Sequence, residues 1–419
     1  MQAIKQKSNS YELIKLLCFY VFSSTVSLLA MENPNQDLVC RPVLREGELP
    51  KLLVIDDKFP VYTRDFINEE IRALIKSGNF SVSIVAEKVI TDHHELEKLP
   101  DWMKSTPMQH LKTMPHDLNE YAVIFACWGD IGEKIAQRKH EGNYHGILVT
   151  RFRGSPEERI GRPDNNCYSY LKQYGDLYVP NCDFFRKELC GKFGFDAKKF
   201  VVHYEAVDVN AIRQMITECK PHTTMEKSIS ILSICRLEPK KGLGHALKAL
   251  ANIRQVITIP LRYTIIGEGS QRIELEEQIK NLQLDDIVIM TGGKNKKEVI
   301  EMLIKSDILL APSFTADDGD IEGIMNVLKE AGVAGTVVVA TDHAGSPELI
   351  EDDKTGVLAR QNDVDDLTKK LAYAIRNPHR WAEWRNNLKI GVEERFNGLK
   401  VYPQLIEILM NTLGVNNNT

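Results

Sequence analysis

Between residues 51 and 360, short apolar runs rich in Val and Ile alternate with longer amphipathic runs. This alternation restricts the fold more than any other feature of the chain. A run that stays apolar over nearly its whole length, such as Lys51–Asp56 (KLLVID), suits a strand buried on both faces of a parallel sheet. Parallel neighbours need a crossover, usually a helix, so the pattern predicts repeated βα units. Strands are expected at Lys51–Asp56, Ser81–Glu87, Tyr121–Cys127, Gly146–Thr150, Asp176–Pro180 and Phe200–Tyr204. Over Arg64–Ser77, residues Phe66, Ile67, Ile71, Leu74 and Ile75 share one helical face, and Gly78 stands where a C-terminal cap would. The polar stretch Thr217–Lys227, with Pro221, reads as a linker. The alternation then restarts at Ile229–Cys235, Arg262–Ile266, Ile287–Thr291, Ile308–Ala311, Val337–Thr341 and Gly356–Ala359. From Pro378 to about Gly414 the chain reads as helical, with a break near Gly398.

The 419 residues therefore divide into a lead-in (1–49), a βα domain (50–215), a linker (216–227), a second βα domain (228–380) and C-terminal helices (381–414). The lead-in carries an apolar run, Leu16–Ala30, after Lys5, Lys7 and Lys15. It is shorter than the ~20 residues of a spanning helix. Three readings compete for it: a signal peptide, a membrane-surface anchor, or an upstream extension of a chain that starts at Met31. Eight cysteines without a C-x-x-C pair read as reduced thiols, which favours a cytoplasmic chain over a secreted one. The histidines lack ligand spacing, so no structural zinc is expected. With 43% hydrophobic and 26% charged residues, the composition is that of a globular protein and excludes a collagen or a polytopic membrane protein. A net charge of -5 argues against a dedicated nucleic-acid binder. Ligands of open α/β sheets bind beyond the carboxyl ends of the strands, so the chemistry is expected in the loops that follow them.

Two of those loops stand out. Arg236-Leu237-Glu238-Pro239-Lys240-Lys241-Gly242 places an Arg at a strand end and a Lys beside a helix-opening Gly. Arg offers a planar fork, Lys a compact charge and a helix start free N–H groups, which together make a diphosphate cradle. Solvated loop charges are the plainer reading. In Ile321–Ala331 (IEGIMNVLKEA), Glu322 precedes a Gly and Glu330 follows eight residues later. A helix starting near Gly323 would put Glu330 roughly 12 Å along the axis at ~1.5 Å per residue. Two carboxylates so spaced suit hydroxyls at opposite ends of an extended ligand, with the N–H groups of Gly323, Ile324 and Met325 between them. The plainer reading is two surface glutamates. The Asp317–Asp320 loop reads as solvated in preference to a metal site. Gly332, inside this helix, costs ~1 kcal/mol relative to Ala and hints at close packing.

Together these segments resemble family 4 glycosyltransferases of GT-B architecture. The first loop matches the family's R-L-x-x-x-K-G segment, and Glu322 to Glu330 matches its E-x7-E motif. His343–Ile350 (HAGSPELI) is similar to its H-x-G-x-P-E-L-I turn, and Gly267-Glu268-Gly269 to its G-x-G segment. The likeness spans about residues 51–395. It implies two Rossmann-like domains facing a cleft, with a C-terminal helix returning to the first. It implies that Arg236 and Lys241 hold a diphosphate and Glu330 a ribose, while Glu322 and the N–H groups of Gly323, Ile324 and Met325 hold the donor sugar. Gly267, Gly292 and His343 would complete the donor site. One unit pair at 4 Å contributes about 4 kcal/mol at an effective dielectric of about 20, a useful part of a barrier reduction of about 8–23 kcal/mol. The family transfers with retention, uses a nucleoside-diphosphate sugar as co-substrate and implies no metal or other cofactor here.

In the first half, Phe59–Asn68 (FPVYTRDFIN) looks like the F-P-x-x-S-E-T-F-I-x-N opening of colanic-acid-type exopolysaccharide glycosyltransferases. Tyr170–Asp183 and Val202–Asp208 match further segments of that group. The implied acceptor is a glycan or a lipid-linked saccharide, handled at the inner face of the membrane with peripheral contact, in bacterial surface-polysaccharide synthesis. Thr63, Arg151, Arg153 and Gly154 fall on the acceptor side. The sequence departs from the group twice. H-A-H-F-G is here Phe125-Ala126-Cys127-Trp128-Gly129, and T-x-F-H-G is Thr150-Arg151-Phe152-Arg153-Gly154. Arg cannot be deprotonated, so Arg153 is no general base. Arg151, Arg153, Arg159 and Arg162 read either as a patch for an anionic acceptor or as a solvated loop balanced by Glu157 and Glu158. His343 faces the cleft, where ligand contact and a purely structural place are both open, and His203 is expected to be packed. The leading expectation is a retaining hexosyltransferase. A nucleotide-sugar epimerase of the same fold and a catalytically weak sugar-nucleotide binder are the rivals.

Overall fold

The uninterrupted apolar runs become the strands of two six-stranded, all-parallel sheets. The computed structural model describes residues 47–59, 65–89, 109–111, 113–154, 167–219 and 228–415. Leu16–Ala30, Thr63, Arg159, Arg162 and most of the linker lie outside them. The first sheet has the order β3-β2-β1-β4-β5-β6. Its strands are β1 (Lys51–Phe59), β2 (Ser81–Val89), β3 (Gln109–Leu111), β4 (Val123–Ala126), β5 (Ile147–Phe152) and β6 (Leu177–Pro180). The second comprises β7 (Ile229–Ile234), β8 (Leu261–Ile266), β9 (Val288–Gly292), β10 (Ile308–Ala311), β11 (Val337–Thr341) and β12 (Val357–Ala359), in the order β12-β11-β10-β7-β8-β9. Counted within its own half, each sheet runs 3-2-1-4-5-6, the doubly wound dinucleotide-fold order. Every residue of β4, β5, β10 and β11 is buried, which is why these runs are apolar without alternation.

The first domain carries α1 (Asp65–Lys76), α2 (Gly129–His140), α3 (Ser169–Tyr174), α4 (Asp183–Phe193) and α5 (Val209–Glu218). The second carries α6 (Leu243–Arg254), α7 (Arg272–Asn281), α8 (Lys296–Lys305), α9 (Asn326–Ala334) and α10 (Val364–Arg376). On α1 the expected apolar face is present, with Ile67, Ile71 and Leu74 buried. Two further helices, α11 (Trp381–Arg395) and α12 (Gly398–Leu413), close the chain, separated by the Asn397 cap. α11 packs on α9, and α12 reaches the first domain, where its Val401 carbonyl meets His203 Nε2 at 2.9 Å. The described residues from 47 to 415 belong to one compact unit. No helix among the described residues is long and apolar enough to cross a membrane.

Two elements depart from the sequence expectation. Phe200–Tyr204 is not a strand. Val201 N and His203 N donate to Tyr178 O and Pro180 O, both at 3.0 Å, but strand pairing stops at one bridge. The backbone then changes partner, and Val207 pairs with the Phe396–Asn397 segment instead. The three-residue β3 was not foreseen because three residues show no period.

Gly332 has a packing reason. A Cβ there would lie 2.8 Å from Val392 Cγ2 and 3.0 Å from Leu388 Cγ on α11. Overpacked cores typically lose 1–3 kcal/mol. Gly332→Leu is therefore expected to lower the unfolding free energy by about 1–3 kcal/mol in urea, despite Leu's higher helix propensity. An unchanged midpoint would refute this packing account.

Candidate active site

At the end of β7 the chain enters the loop Cys235–Gly242, and Lys240, not singled out by the sequence, turns inward. It is 3% exposed. Its ammonium lies 2.8 Å from Asp320 Oδ1, 3.0 Å from Glu322 Oε1 and 3.3 Å from the Ile321 carbonyl. Lys241 approaches the same Glu322 oxygen at 2.9 Å. Burial alone would raise the Glu322 carboxyl, but Lys241 and then Lys240 outweigh it and hold it down to about 2. Glu322 is thus a carboxylate at any working pH. It accepts hydrogen bonds and cannot act as a general acid. Burial works against the Lys240 charge too, yet Glu322 and Asp320 raise its affinity for the proton, so it stays cationic. Asp320 therefore serves as a lysine partner and Asp317–Asp320 is not a purely solvated loop.

Lys241 also lines a pocket at the carboxyl ends of β7 and β10, with Cys235, Ser313, Met325 and Val327. Arg236 is exposed at the head of the loop and pairs with no carboxylate among the described residues. Gly267 and Gly292 meet beside it, where Gly267 N donates to Gly292 O at 3.0 Å. Gly267 has φ +147°, and a Cβ there would fall 1.8 Å from the Cys235 carbonyl, so only glycine fits.

The helix after Glu322 starts later than the sequence suggested. α9 begins at Asn326, and Met325 is extended with φ -61° and ψ 131°. Gly323, Ile324 and Met325 therefore form a buried loop ahead of the helix and are not its first turn. His343 fixes the head of that loop. Its Nε2 accepts the Glu322 backbone N–H at 3.1 Å, so the ring proton is placed on Nδ1, which donates to Gln361 Oε1 at 3.0 Å. Burial pushes the imidazole down, keeping it neutral. Fully buried, His343 acts through the Glu322 backbone. At the far end of the motif, Glu330 is buried on α9 and paired with Lys296 Nζ of α8 at 2.6 Å.

On the first domain, Arg151 and Arg153 do not form an open patch. Both are buried around Glu70 of α1. Arg151 Nη2 meets Glu70 Oε1 at 3.0 Å, and Arg153 Nη2 meets Glu70 Oε2. Arg153 Nη1 bonds Glu205 at 2.6 Å, and its Nε donates to Cys127 O at 3.2 Å. Arg151 Nη1 donates to His203 O at 2.9 Å and faces His203 Nδ1 at 3.3 Å. Burial would raise the Glu70 carboxyl, but Arg151 and Arg153 reverse the effect. Burial, with Arg151 adding, takes His203 down to about 4, so it is neutral, packed and hydrogen-bonded as expected. Burial and the nearby Asp56 charge push the Cys127 thiol up, so it stays protonated. Neither Arg153 nor Cys127 offers a base. Gly154 lies where the domains touch, since a Cβ on it would come 3.0 Å from the Ile321 carbonyl.

Lys329, next to Glu330, is a second buried cation that sequence reasoning missed. It donates to Glu205 O and Asn326 Oδ1, both at 2.8 Å, and so joins α9 to the first domain. Burial drives its pKa down to about 8, against the pull of Glu205 and Glu330. A lysine in the unfolded chain titrates near 10.5. Between those values the unfolded chain binds more protons, so stability rises with pH across the window. Below about pH 8 the cost of burying the charge is present in full. Lys329→Met should remove a rise of about 3 kcal/mol between pH 8 and 10.5. Urea unfolding of both proteins at the two pH values reads this, and parallel pH profiles would contradict it.

A family model for "Glycosyl transferases group 1" matches residues 216–390, the half that carries Lys240, Lys241, Glu322, Glu330 and His343. The chain is 36% identical over 253 residues to the putative colanic acid biosynthesis glycosyltransferase WcaL of Escherichia coli, a match spanning 60% of each chain. It is 31% identical over 297 residues to the amylovoran biosynthesis glycosyltransferase AmsK of Erwinia amylovora, spanning 70% of each. Among solved structures, Anabaena HepE in complex with UDP superposes with a TM-score of 0.69 at 18% identity, covering 86% of this chain and all of that one. The fold is thus GT-B, and the epimerase alternative is not favoured. The chain belongs to the group 1 glycosyltransferases, as a homologue of exopolysaccharide-building members.

Proposed function

We propose that this chain moves a hexose from a nucleoside-diphosphate sugar to a glycan or lipid-linked acceptor with retention, and without a metal, during surface-polysaccharide synthesis. The observation that carries this is the Glu322 carboxylate held between Lys240 and Lys241 at 3.0 and 2.9 Å beside a pocket. A permanently ionised carboxylate accepts hydrogen bonds from sugar hydroxyls. Lys241 and the exposed Arg236 face the position of a departing diphosphate and stabilise the charge that develops there. Glu330, midway along α9, takes the ribose hydroxyls through the carboxylate oxygen that does not meet Lys296.

In this reading the acceptor oxygen bonds to the anomeric carbon on the face from which the diphosphate leaves. The C–O bond to phosphate breaks, and the acceptor's proton passes to the leaving phosphate oxygen. Arg153 is permanently charged, Cys127 is protonated and His203 is engaged at both ring nitrogens. None of the three takes that proton, which supports a leaving group that serves as its own base. Work at the inner membrane face, by peripheral contact, remains part of the proposal because a lipid-linked acceptor requires it.

Calorimetric titration of the full chain with UDP, GDP and ADP tests the donor site. Saturable binding of one of them is expected. Lys241→Ala and Glu330→Ala should each weaken it tenfold or more. A folded protein that binds none of the three, or variants that bind like the wild type, would overturn the assignment.

A further inference from the structure

Glu348 lies in the turn after β11, on the second domain, yet its carboxylate serves the first. Its two oxygens accept the backbone N–H groups of Asp183 at 3.0 Å and Phe184 at 2.9 Å, the first residues of α4. These are N–H groups that a helix start leaves without an internal partner. Tyr204 Oη donates to the same carboxylate at 3.2 Å, and Arg395 Nη1 of α11 donates to the Glu348 carbonyl at 2.7 Å. The α4 cap residue, Cys182, supplies no side-chain bond of its own. The helix is thus capped from the other domain.

The other end of the same turn reaches the donor site. His343, five residues earlier, accepts the Glu322 backbone N–H. Between the two the chain is tightly wound. Ser346 N donates to His343 O at 2.9 Å, Glu348 N to Gly345 O at 3.1 Å and Ile350 N to Ser346 O at 2.9 Å. Gly345 packs on the Gly323–Ile324 backbone, where an added Cβ would come within 3.0 Å of Gly323 C. Across the seam, the buried Asn181 side chain lies against Gly323, 2.7–2.8 Å from where a Cβ would stand. A six-residue turn therefore joins the carboxylate assigned to the donor sugar to a helix of the acceptor domain without a flexible link.

We propose that Glu348 is a positioning residue: it latches α4 to the His343–Glu348 turn and so sets the acceptor domain in register with the sugar carried at Glu322. Glu348 touches neither donor nor acceptor. The inference rests on the donor-site reading above. It predicts that the latch governs transfer and domain spacing while leaving nucleotide affinity alone, because the nucleotide groups lie on one domain.

The test uses the full-length protein with Glu348→Ala, Glu348→Gln and Tyr204→Phe. Each is titrated with the nucleoside diphosphate that the wild type binds, then assayed for sugar transfer with the matching nucleotide sugar. Small-angle scattering of each variant reports domain spacing. Glu348→Ala should keep the nucleotide Kd within threefold, leave the donor KM unchanged, lower kcat at least thirtyfold and enlarge the radius of gyration. Glu348→Gln keeps one acceptor oxygen and should recover part of kcat, and Tyr204→Phe should lose less than threefold. Wild-type kcat and spacing in Glu348→Ala would overturn the latch with the donor site intact. A loss of nucleotide affinity in step with kcat would also overturn it, because the role would then be structural or direct. Wild-type protein that binds no nucleoside diphosphate would instead sink the reading on which the latch rests.

Discussion

Two adjacent lysines on one loop neutralise one glutamate, and the geometry of the second domain's site follows from that ion triad. Glu322 stands in a buried loop where an isolated charge would cost several kcal/mol. Lys240 and Lys241 both reach one of its oxygens, and Asp320 also pairs with Lys240. The clamp settles the protonation state of Glu322, and with it the chemistry open to that residue. It also ties the loop after β7 to the loop after β10, the two strand ends that line the pocket. His343 secures the same glutamate through its backbone.

The first domain meets the problem of buried charge in a parallel way. Glu70 sits between Arg151 and Arg153, and Glu205 completes the balance. The Arg153 guanidinium is consumed by two carboxylates and a carbonyl. This position therefore serves architecture and not proton transfer. Through Glu205 O and Lys329 the network also reaches α9 across the boundary between domains.

Much of this was legible in the sequence, for stated reasons. Strands buried on both faces betray themselves by unbroken hydrophobicity, and eleven of the twelve expected runs keep more than half their length as strands, β4 and β6 with shortened ends. Phe200–Tyr204 was misread because an apolar run can lean on a sheet edge and then change partners. Lys241 and Glu322 stood out through the loop pattern and the family resemblance, and the structure brings them together. Lys240 did not stand out, because periodicity is silent on which of two neighbouring loop residues turns inward. Its partners, Asp320 and Glu322, lie about eighty residues further along the chain. Glu70 was missed for a related reason: a glutamate at the border of an amphipathic face reads as solvent-exposed until its arginine partners, more than eighty residues away, are placed. Arg151 falls inside the fully buried β5, which runs two residues beyond the strand expected to end at Thr150.

The most direct test of the central triad compares Lys240→Met with Lys241→Ala in the affinity ratio of nucleotide sugar to bare nucleoside diphosphate. Thermal unfolding confirms that each variant is folded. If Lys240 serves to fix Glu322 while Lys241 also meets the diphosphate, Lys240→Met will keep the bare nucleotide within about threefold and lose the preference for the sugar-bearing form. Lys241→Ala will lose both. A Lys240→Met protein that loses bare-nucleotide affinity as severely as Lys241→Ala, or that keeps the full preference for the sugar, would contradict the account.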